Sequence, residues 1–339
     1  MSENSSDTNS SDTNSSDTNS SDTNSSDTNS GDTNSGDPAY RSGFAALVGR
    51  PNAGKSTLTN ALVGQKVAIT SSKPQTTRHT IRGIRNGEHS QLVLVDTPGL
   101  HRPRSLLGQR LNDLVRETLL GVDVIGFCMP ADQRPGPGDQ FIANDLTELQ
   151  RARKVPVVAI ATKADAVDRD HLAEHLMAID RLADWSEIIP CSAVRGQQVD
   201  EVGDVLASYL PLSPAMYPPD MVSDEPQIVM IAELVREAAL EGVRDELPHS
   251  LAVVVDEILP RPDRPENDPL TDVRVNVFVE RPSQKAIIIG RGGSRLRDVG
   301  STARQGIEKL LGHRVYLDLH VKIAKDWQRD PKQLQRLGF

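Results

Sequence analysis

The segment GRPNAGKS at residues 49–56 constrains this chain more than any other, because it matches the pattern G-x-x-x-x-G-K-[ST] at every position. It follows an apolar run, Phe44–Val48, and opens a helical pattern, Lys55–Val63. In such a loop the glycines let backbone N–H groups converge on phosphate oxygens at a helix N-terminus. The alternative, a chance match or a purely structural glycine turn, does not account for this strand–loop–helix context. The predicted phosphate-binding residues are Gly49, Asn52, Ala53, Gly54, Lys55, Ser56 and Thr57.

Apolar runs and amphipathic stretches alternate across residues 40–210. The runs that predict strands are Phe44–Val48, Leu92–Val95, Val122–Met129, Val155–Ala161 and Ile188–Cys191. The patterns that predict helices are Lys55–Val63, Leu106–Leu120, Asp139–Leu149, Arg169–Leu182 and Val199–Tyr209. Near-continuous apolar strands separated by helices are typical of an α/β fold, with a mostly parallel sheet covered by helices on both faces.

The remainder of the chain follows a different order. Prolines cluster just after residue 210 and predict a stiff linker over 211–225. Residues 226–339 then show the order helix, strand, strand, helix, glycine loop, helix, strand, which predicts a smaller α+β module. Its strands are predicted at Ser250–Leu259, Asp272–Glu280 and Arg314–Ile323, and its helices at Pro226–Gly242 and across Gln284–Leu311.

The net charge of −9 is unevenly distributed along the chain. Residues 1–38 contain eight acidic residues and no Lys or Arg, whereas residues 281–339 contain 13 basic and five acidic residues. A basic C-terminal module is expected where a protein meets a polyanion. Residues 1–38 are dominated by a repeated five-residue unit, Ser-(Ser/Gly)-Asp-Thr-Asn, which is too polar to offset the entropy cost of ordering. We therefore expect a disordered tail, either a solvated extension or a phosphorylatable, partner-binding one.

Composition excludes several classes of protein. No stretch approaches the roughly 20 apolar residues of a membrane span. The N-terminus lacks the charged start and apolar core of a signal peptide, so we expect a cytoplasmic protein. Cys128 and Cys191 lie in separate apolar runs, which predicts two buried, reduced thiols. Aromatic residues make up 3% of the chain, which argues against base stacking on an aromatic platform as the main mode of RNA binding.

Three further segments follow predicted strands. The Ser56 hydroxyl is the predicted Mg²⁺ ligand, Asp96 can hold the ion through water, and the Gly99 N–H can meet a γ-phosphate. The carboxylate of Asp165 can accept two hydrogen bonds from the guanine edge, and adenine would leave it unpaired. A backbone N–H after the next strand can meet guanine O6. The predicted base-contacting residues are Thr162, Lys163, Asp165, Ser192 and Ala193.

With QTTRH at residues 75–79 and DTPGLH at residues 96–101, the chain resembles the translation-factor-related GTPases and, more narrowly, the Era family of ribosome-assembly GTPases. The resemblance covers residues 40–339. It implies that Thr77 or Thr76 ligates Mg²⁺ when GTP is bound, with Thr77 favoured. The residues it implicates in hydrolysis are Lys55, Thr77, Gly99 and Asn52.

Two positions depart from better-known GTPases. Leu100 stands where Ras-type enzymes use a Gln to orient the attacking water, so we expect slow hydrolysis that depends on another group. In related families without this Gln, a loop Asn coordinates K⁺; Asn52 occupies that position, and a simple turn role is the equal alternative. Thr162 replaces the usual Asn that tethers the base loop to the phosphate loop. We therefore expect loosened nucleotide binding, with guanine selectivity kept by Asp165.

The sequence GRGG at residues 290–293 provides a G-x-x-G loop between an apolar run and a helix. In KH domains such a loop lets a single-stranded backbone approach closely while nearby cations neutralise its phosphates. A glycine turn beside a solvated charged face is the alternative. The resemblance implies that this module grips the 3′ end of small-subunit rRNA, with Arg291 favoured for a phosphate contact. The RNA-binding candidates are Lys285, Gly290, Arg291, Gly292, Gly293, Arg295 and Arg297.

We therefore expect a monomeric GTP-hydrolysing switch that uses GTP/GDP and Mg²⁺, binds the 16S rRNA 3′ end and assists 30S subunit assembly, with no DNA partner. A weak peripheral association with the inner face of the cell membrane stays open. One rival function is an RNA-binding scaffold with a degenerate nucleotide domain, suggested by Leu100 and Thr162. Another is a GTPase of tRNA modification, which usually needs a different partner domain.

Overall fold

The computed structural model describes residues 40–71, 73, 76–103, 105–243, 247–265 and 267–339. The repeats predicted to be disordered lie outside the described residues, as does Gln75 of the QTTRH segment. No helix in the described part of the chain is long and apolar enough to cross a bilayer.

The first sheet has six strands in the order β2-β3-β1-β4-β5-β6. All neighbours are parallel except β2 and β3, which pair antiparallel. The predicted mostly parallel sheet is confirmed, and β2 is an additional strand that was not predicted, because its sequence IRGIRN lacks an apolar run. The strands are β1 Arg41–Val48, β2 Ile81–Asn86, β3 Ser90–Asp96, β4 Val124–Pro130, β5 Val157–Thr162 and β6 Glu187–Pro190.

Helices cover both faces of this sheet, and each face has its own apolar core. Ser105 and Asp168 cap two of the helices, since their side-chain oxygens accept the N–H of Gly108 and His171. Cys128 and Cys191 are buried free thiols, as predicted. The helices are α1 Lys55–Val63, α2 Leu106–Leu119, α3 Pro137–Arg153, α4 Arg169–Asp180 and α5 Val199–Ser208.

The proline-rich segment predicted as a linker runs past the N-terminal ends of β1 and β3 and reaches the edge strand β2. The N–H of Ser42 donates to the Pro211 carbonyl at 3.2 Å, and the N–H of Ile84 donates to the Val222 carbonyl at 2.9 Å. The Gln91 side chain donates a hydrogen bond to the Tyr217 carbonyl and accepts one from the Tyr217 N–H. These bonds tie the chain to the sheet before it enters the second module.

The second module has a three-stranded sheet in the order β7-β8-β9, with β7 antiparallel and β9 parallel to β8. Helices α6 and α9 pack on one face through Ile231, Val235 and Ile307. A separate apolar cluster joins Leu107 and Leu111 of α2 to the chain's C-terminal segment. The elements are α6 Gln227–Leu240, α7 Leu247–Ser250, β7 Ala252–Pro260, β8 Leu270–Val279, α8 Pro282–Ile289, α9 Ser294–Leu311, β9 Arg314–Ile323 and α10 Pro331–Arg336.

Candidate functional site

The loop that joins β1 to α1 has the backbone curvature expected of a phosphate-binding loop. Gly49, Asn52 and Gly54 all have positive φ angles, of 151°, 64° and 87°. A Cβ on Gly49 would lie 2.5 Å from the Cys128 carbonyl oxygen, so only glycine fits at this position. The loop therefore turns sharply and opens directly into the N-terminus of α1, where backbone N–H groups can meet an anion.

Lys55 is buried against its own loop. Its Nζ donates to the carbonyl oxygens of Gly49 at 3.3 Å and Arg50 at 3.1 Å. Burial lowers the pKa of Lys55, and the nearby Asp96 carboxylate opposes that shift. Its ammonium group is thus held at the loop by carbonyl oxygens, poised for a phosphate group.

Three oxygen side chains from separate segments meet beside this loop. The Ser56 hydroxyl donates to Asp96 Oδ2 at 2.6 Å, and Thr77 Oγ1 lies 3.2 Å from the same oxygen and 2.9 Å from Ser56 Oγ. Asp96 is fully buried, and its Oδ1 has no hydrogen-bond partner in the described part of the chain. Burial raises the pKa of Asp96 to about 6. The neighbouring Thr76 hydroxyl instead donates to the Lys73 carbonyl at 2.7 Å, away from this cluster.

The segment after β3 closes one side of the cleft. The N–H of Leu100 donates to the Gly49 carbonyl at 3.1 Å, and a Cβ on Gly99 would lie 2.6 Å from Pro51 N. The Leu100 side chain is buried in the apolar core, so it does not reach the cleft. The walls of the cleft include Asn52, Thr57, Lys55, Thr76, Thr77 and Gly99.

The predicted base-contacting residues come together at the carboxyl ends of β5 and β6. Asp165 Oδ1 accepts a hydrogen bond of 2.5 Å from Ser192 Oγ, and Lys163 Nζ lies 3.0 Å from Asp132 Oδ2. Ala193 follows and packs against the apolar core. The Thr162 hydroxyl donates to the Ala53 carbonyl at 2.6 Å. The base loop and the phosphate loop are therefore tethered, although Thr stands in place of the usual Asn.

The stretch from Thr70 to Arg78, here called the threonine segment, also contacts the second module. Arg236 Nη2, on α6, donates to the Thr76 carbonyl oxygen. Arg78 Nη1 donates to the Leu251 carbonyl at 2.6 Å, and its guanidinium lies 5.7 Å from the ring centroids of Trp327 and Phe339. Burial, with Arg236 nearby, lowers the pKa of Arg78 to about 9. Residues 76–78 thus form a bridge between the two modules.

Arg78, Glu233 and Arg236, which make the contacts of this bridge, had no role assigned from sequence. The available signal was Glu233 and Arg236, two charged residues one turn apart in the otherwise mostly apolar stretch QIVMIAELVREAAL of α6. Charged side chains are almost never fully buried unless they are paired. Both are buried here and form an ion pair.

The G-x-x-G loop of the second module is strongly curved. Gly290, Gly292 and Gly293 have φ angles of 72°, 60° and 77°, and Arg291 is exposed at the tip. The loop opens into α9, and Arg297 is exposed on the first turns of that helix. Lys285 is half-buried one turn before the loop, on α8.

One of the predicted RNA-binding residues, Arg295, makes hydrogen bonds within the fold. Its Nη2 donates to the carbonyl oxygens of Ala239 at 3.2 Å and Glu241 at 2.6 Å, so it caps the C-terminus of α6. Beyond the loop, an open groove runs between α9 and β9, with Arg297 and apolar residues such as Leu296 and Leu319 in its walls.

Comparison with known proteins agrees with this architecture. A family model described as 50S ribosome-binding GTPase matches residues 44–163, and a KH domain model matches residues 246–328. GTPase Era of Streptomyces coelicolor is 65% identical over 305 residues, which cover 88% of this chain and 95% of that protein. GTPase Era of Mycolicibacterium paratuberculosis is 64% identical over 301 residues, which cover 88% of this chain and 99% of that protein.

A solved structure is also similar over most of the chain. The crystal structure of Era in complex with MgGDPNP and nucleotides 1506-1542 of 16S ribosomal RNA has a TM-score of 0.83 and 35% sequence identity, and covers 88% of this chain and 99% of that one. The chain, a P-loop GTPase domain followed by a KH domain, therefore belongs to the Era family of GTPases, enzymes that hydrolyse GTP.

Proposed function

We propose that this chain is a GTP-driven switch that binds the 3′ end of 16S rRNA and assists assembly of the 30S subunit. The observation that carries the nucleotide part is the meeting of Ser56, Thr77 and Asp96 beside the phosphate loop. We place the GTPase domain at residues 40–210, the connecting segment at 211–225 and the KH domain at 226–339.

The residues of the cluster fit Mg²⁺. Two hydroxyls and a carboxylate are oxygen donors of the type that Mg²⁺ prefers, and the buried Asp96 Oδ1 has an unsatisfied lone pair. When bound, Mg²⁺ offsets the negative charge of the β- and γ-phosphates. Ser56, Thr77 and Asp96 would hold it. The geometry favours Thr77 over Thr76, whose hydroxyl is turned to Lys73.

The other residues of the cleft bind and orient GTP. Lys55 exchanges its carbonyl partners for phosphate oxygens, and the loop N–H groups and that of Gly99 add further donors. The Asp165 carboxylate, oriented by the Ser192 hydroxyl, accepts hydrogen bonds from the guanine edge. Because the Leu100 side chain is buried in the core, no Gln-like group at this position orients the attacking water. Slow intrinsic hydrolysis follows, with K⁺ at Asn52 as one means of raising it.

The KH domain supplies the RNA-binding surface. Gly290, Gly292 and Gly293 keep the loop thin, so a single-stranded backbone can approach and Arg291 can neutralise a phosphate. The related Era structure contains nucleotides 1506-1542 of 16S rRNA, which supports the 3′ end as the ligand. We propose a cytoplasmic monomer, and membrane association is not part of this function.

Crosslinking in cells, followed by mapping of the bound RNA, tests the partner. Reads concentrated at the 16S 3′ end are expected for the wild type and should be lost when the loop is changed by G292D. Single-turnover GTP hydrolysis, with and without K⁺, tests the enzyme against the scaffold alternative. Absence of cleavage in both salts would favour a scaffold.

A further inference from the structure

Thr77 is held by both domains at once. Its hydroxyl meets Ser56 and Asp96 of the GTPase domain. The residues on either side of it are held by the KH domain, because Arg236 donates to the Thr76 carbonyl and Arg78 donates to the Leu251 carbonyl. The position of the Thr77 hydroxyl therefore depends on contacts made outside its own domain.

Arg236 is itself fixed in place. Its side chain is 3% exposed, and Nε donates to Glu233 Oε1 at 3.0 Å while Nη2 donates to Oε2. This two-point pairing sets the plane of the guanidinium, and the same Nη2 reaches Thr76. A buried ion pair is a weak source of stability because both charges lose their hydration. We therefore take its role to be the orientation of the Arg236 guanidinium toward the Thr76 carbonyl.

The same helix also holds the start of the threonine segment. Glu237, one turn beyond Glu233, accepts the N–H of Thr70 at 3.0 Å and pairs with Lys66. Helix α6 thus contacts the segment at two residues that line the cleft, Thr70 and Thr76.

We infer that Arg236, oriented by Glu233, is a positioning residue for the magnesium site, because it holds the Thr76 carbonyl so that the Thr77 hydroxyl stays with Ser56 and Asp96. The inference rests on the proposed function, in which Thr77 is a Mg²⁺ ligand. By linkage, whatever completes this cluster also favours the contact between α6 and the threonine segment.

The test is the Mg²⁺ concentration that gives half-maximal binding of the GTP analogue GDPNP. R236Q is expected to raise it about 10-fold, as for loss of a hydrogen bond to a charged group. The shift should be below about 2-fold for GDP, because a switch threonine is ordered through the γ-phosphate and Mg²⁺. The control is R274Q, which removes an exposed Arg–Glu pair within the KH sheet and should change neither value.

A double-mutant cycle with T77A separates positioning from general destabilisation. In the T77A background, R236Q should raise the half-maximal Mg²⁺ concentration by less than about 2-fold. R236K, which keeps the charge, should bring this concentration part of the way back to the wild-type value. If R236Q does not fold, the variant E233Q/R236Q enters the same cycle without an unpaired buried charge.

Equal shifts in the Thr77 and T77A backgrounds, equal shifts for GDPNP and GDP, or no shift at all would overturn the role of Arg236. If GDPNP binding by the wild-type protein does not depend on the Mg²⁺ concentration, the proposed magnesium site is wrong, and this inference falls with it.

Discussion

The hydroxyl of Thr162 donates a 2.6 Å hydrogen bond to the carbonyl oxygen of Ala53. This bond joins the end of β5 to the middle of the phosphate loop. The resemblance to other GTPases had implied that an Asn at this position makes that connection. A shorter side chain makes it here because the two loops lie close together.

Replacing Thr162 by Val should weaken nucleotide binding. The change keeps the shape of the side chain but leaves the buried Ala53 carbonyl without its donor, which costs about 1–3 kcal/mol. We expect the affinity for GDP and for GDPNP to fall about 10-fold in calorimetric titrations. The control is T147V, which removes a hydroxyl bonded to a backbone carbonyl within α3. Wild-type affinity in T162V would show that the tether has no role in binding.

Replacing Arg291 by Ala should weaken RNA binding, because it removes a positive charge that contacts an RNA phosphate. Because a phosphate contact releases about one counterion, the slope of log affinity against log salt should fall by roughly 1. The measurement is a salt titration with an RNA of the 16S 3′ end. R116A, on α2 of the GTPase domain, is the control. An unchanged salt slope in R291A would remove this residue from the interface.

Replacing Phe339 by Ala should destabilise the contact between the domains. Its ring stacks on His79 at 5.2 Å and on Trp327 at 5.5 Å. Because the ring is only partly buried, we expect a loss of roughly 1–3 kcal/mol in the free energy of unfolding, measured with urea. F339Y keeps the ring and should lose less than about 1 kcal/mol. A loss in F339A no larger than in F339Y would mean that the stacking does not stabilise the fold.

The two cysteines should be inert in the folded protein. Burial raises the pKa of Cys128 to about 12 and that of Cys191 to about 11, so both stay protonated at pH 8. A thiol reagent should therefore detect neither cysteine in the native protein and both after denaturation. Because the unfolded thiols ionise near their ordinary pKa of about 8.5, unfolding should become easier as pH rises above that value. Rapid native labelling would contradict this account.

The nucleotide loop and both domain types could be predicted because short motifs and apolar periods encode them locally. Strand β2 could not, because Arg82 and Arg85 interrupt its apolar pattern and its place is set by pairing with β3. Docking of the proline-rich segment also depends on partners far away in sequence, such as Gln91.

The bridge between the domains escaped prediction for the same reason. Arg78 was recognised only as part of a motif, and its contacts with Leu251 and Trp327 join residues more than 170 positions apart. The tether at Thr162 was expected to be weakened, because the residue type alone does not give the distance between the loops. Tertiary contacts, rather than local propensity, decide these features.

In the proposed switch, the bound nucleotide controls the affinity of the protein for rRNA. The direct measurement is the affinity of the wild-type protein for an RNA of nucleotides 1506-1542 of 16S rRNA, with GDPNP and Mg²⁺ or with GDP and Mg²⁺. We predict binding at least about 5-fold tighter with GDPNP, within the usual range of coupling between two sites. Equal affinity in the two nucleotide states would contradict the switch.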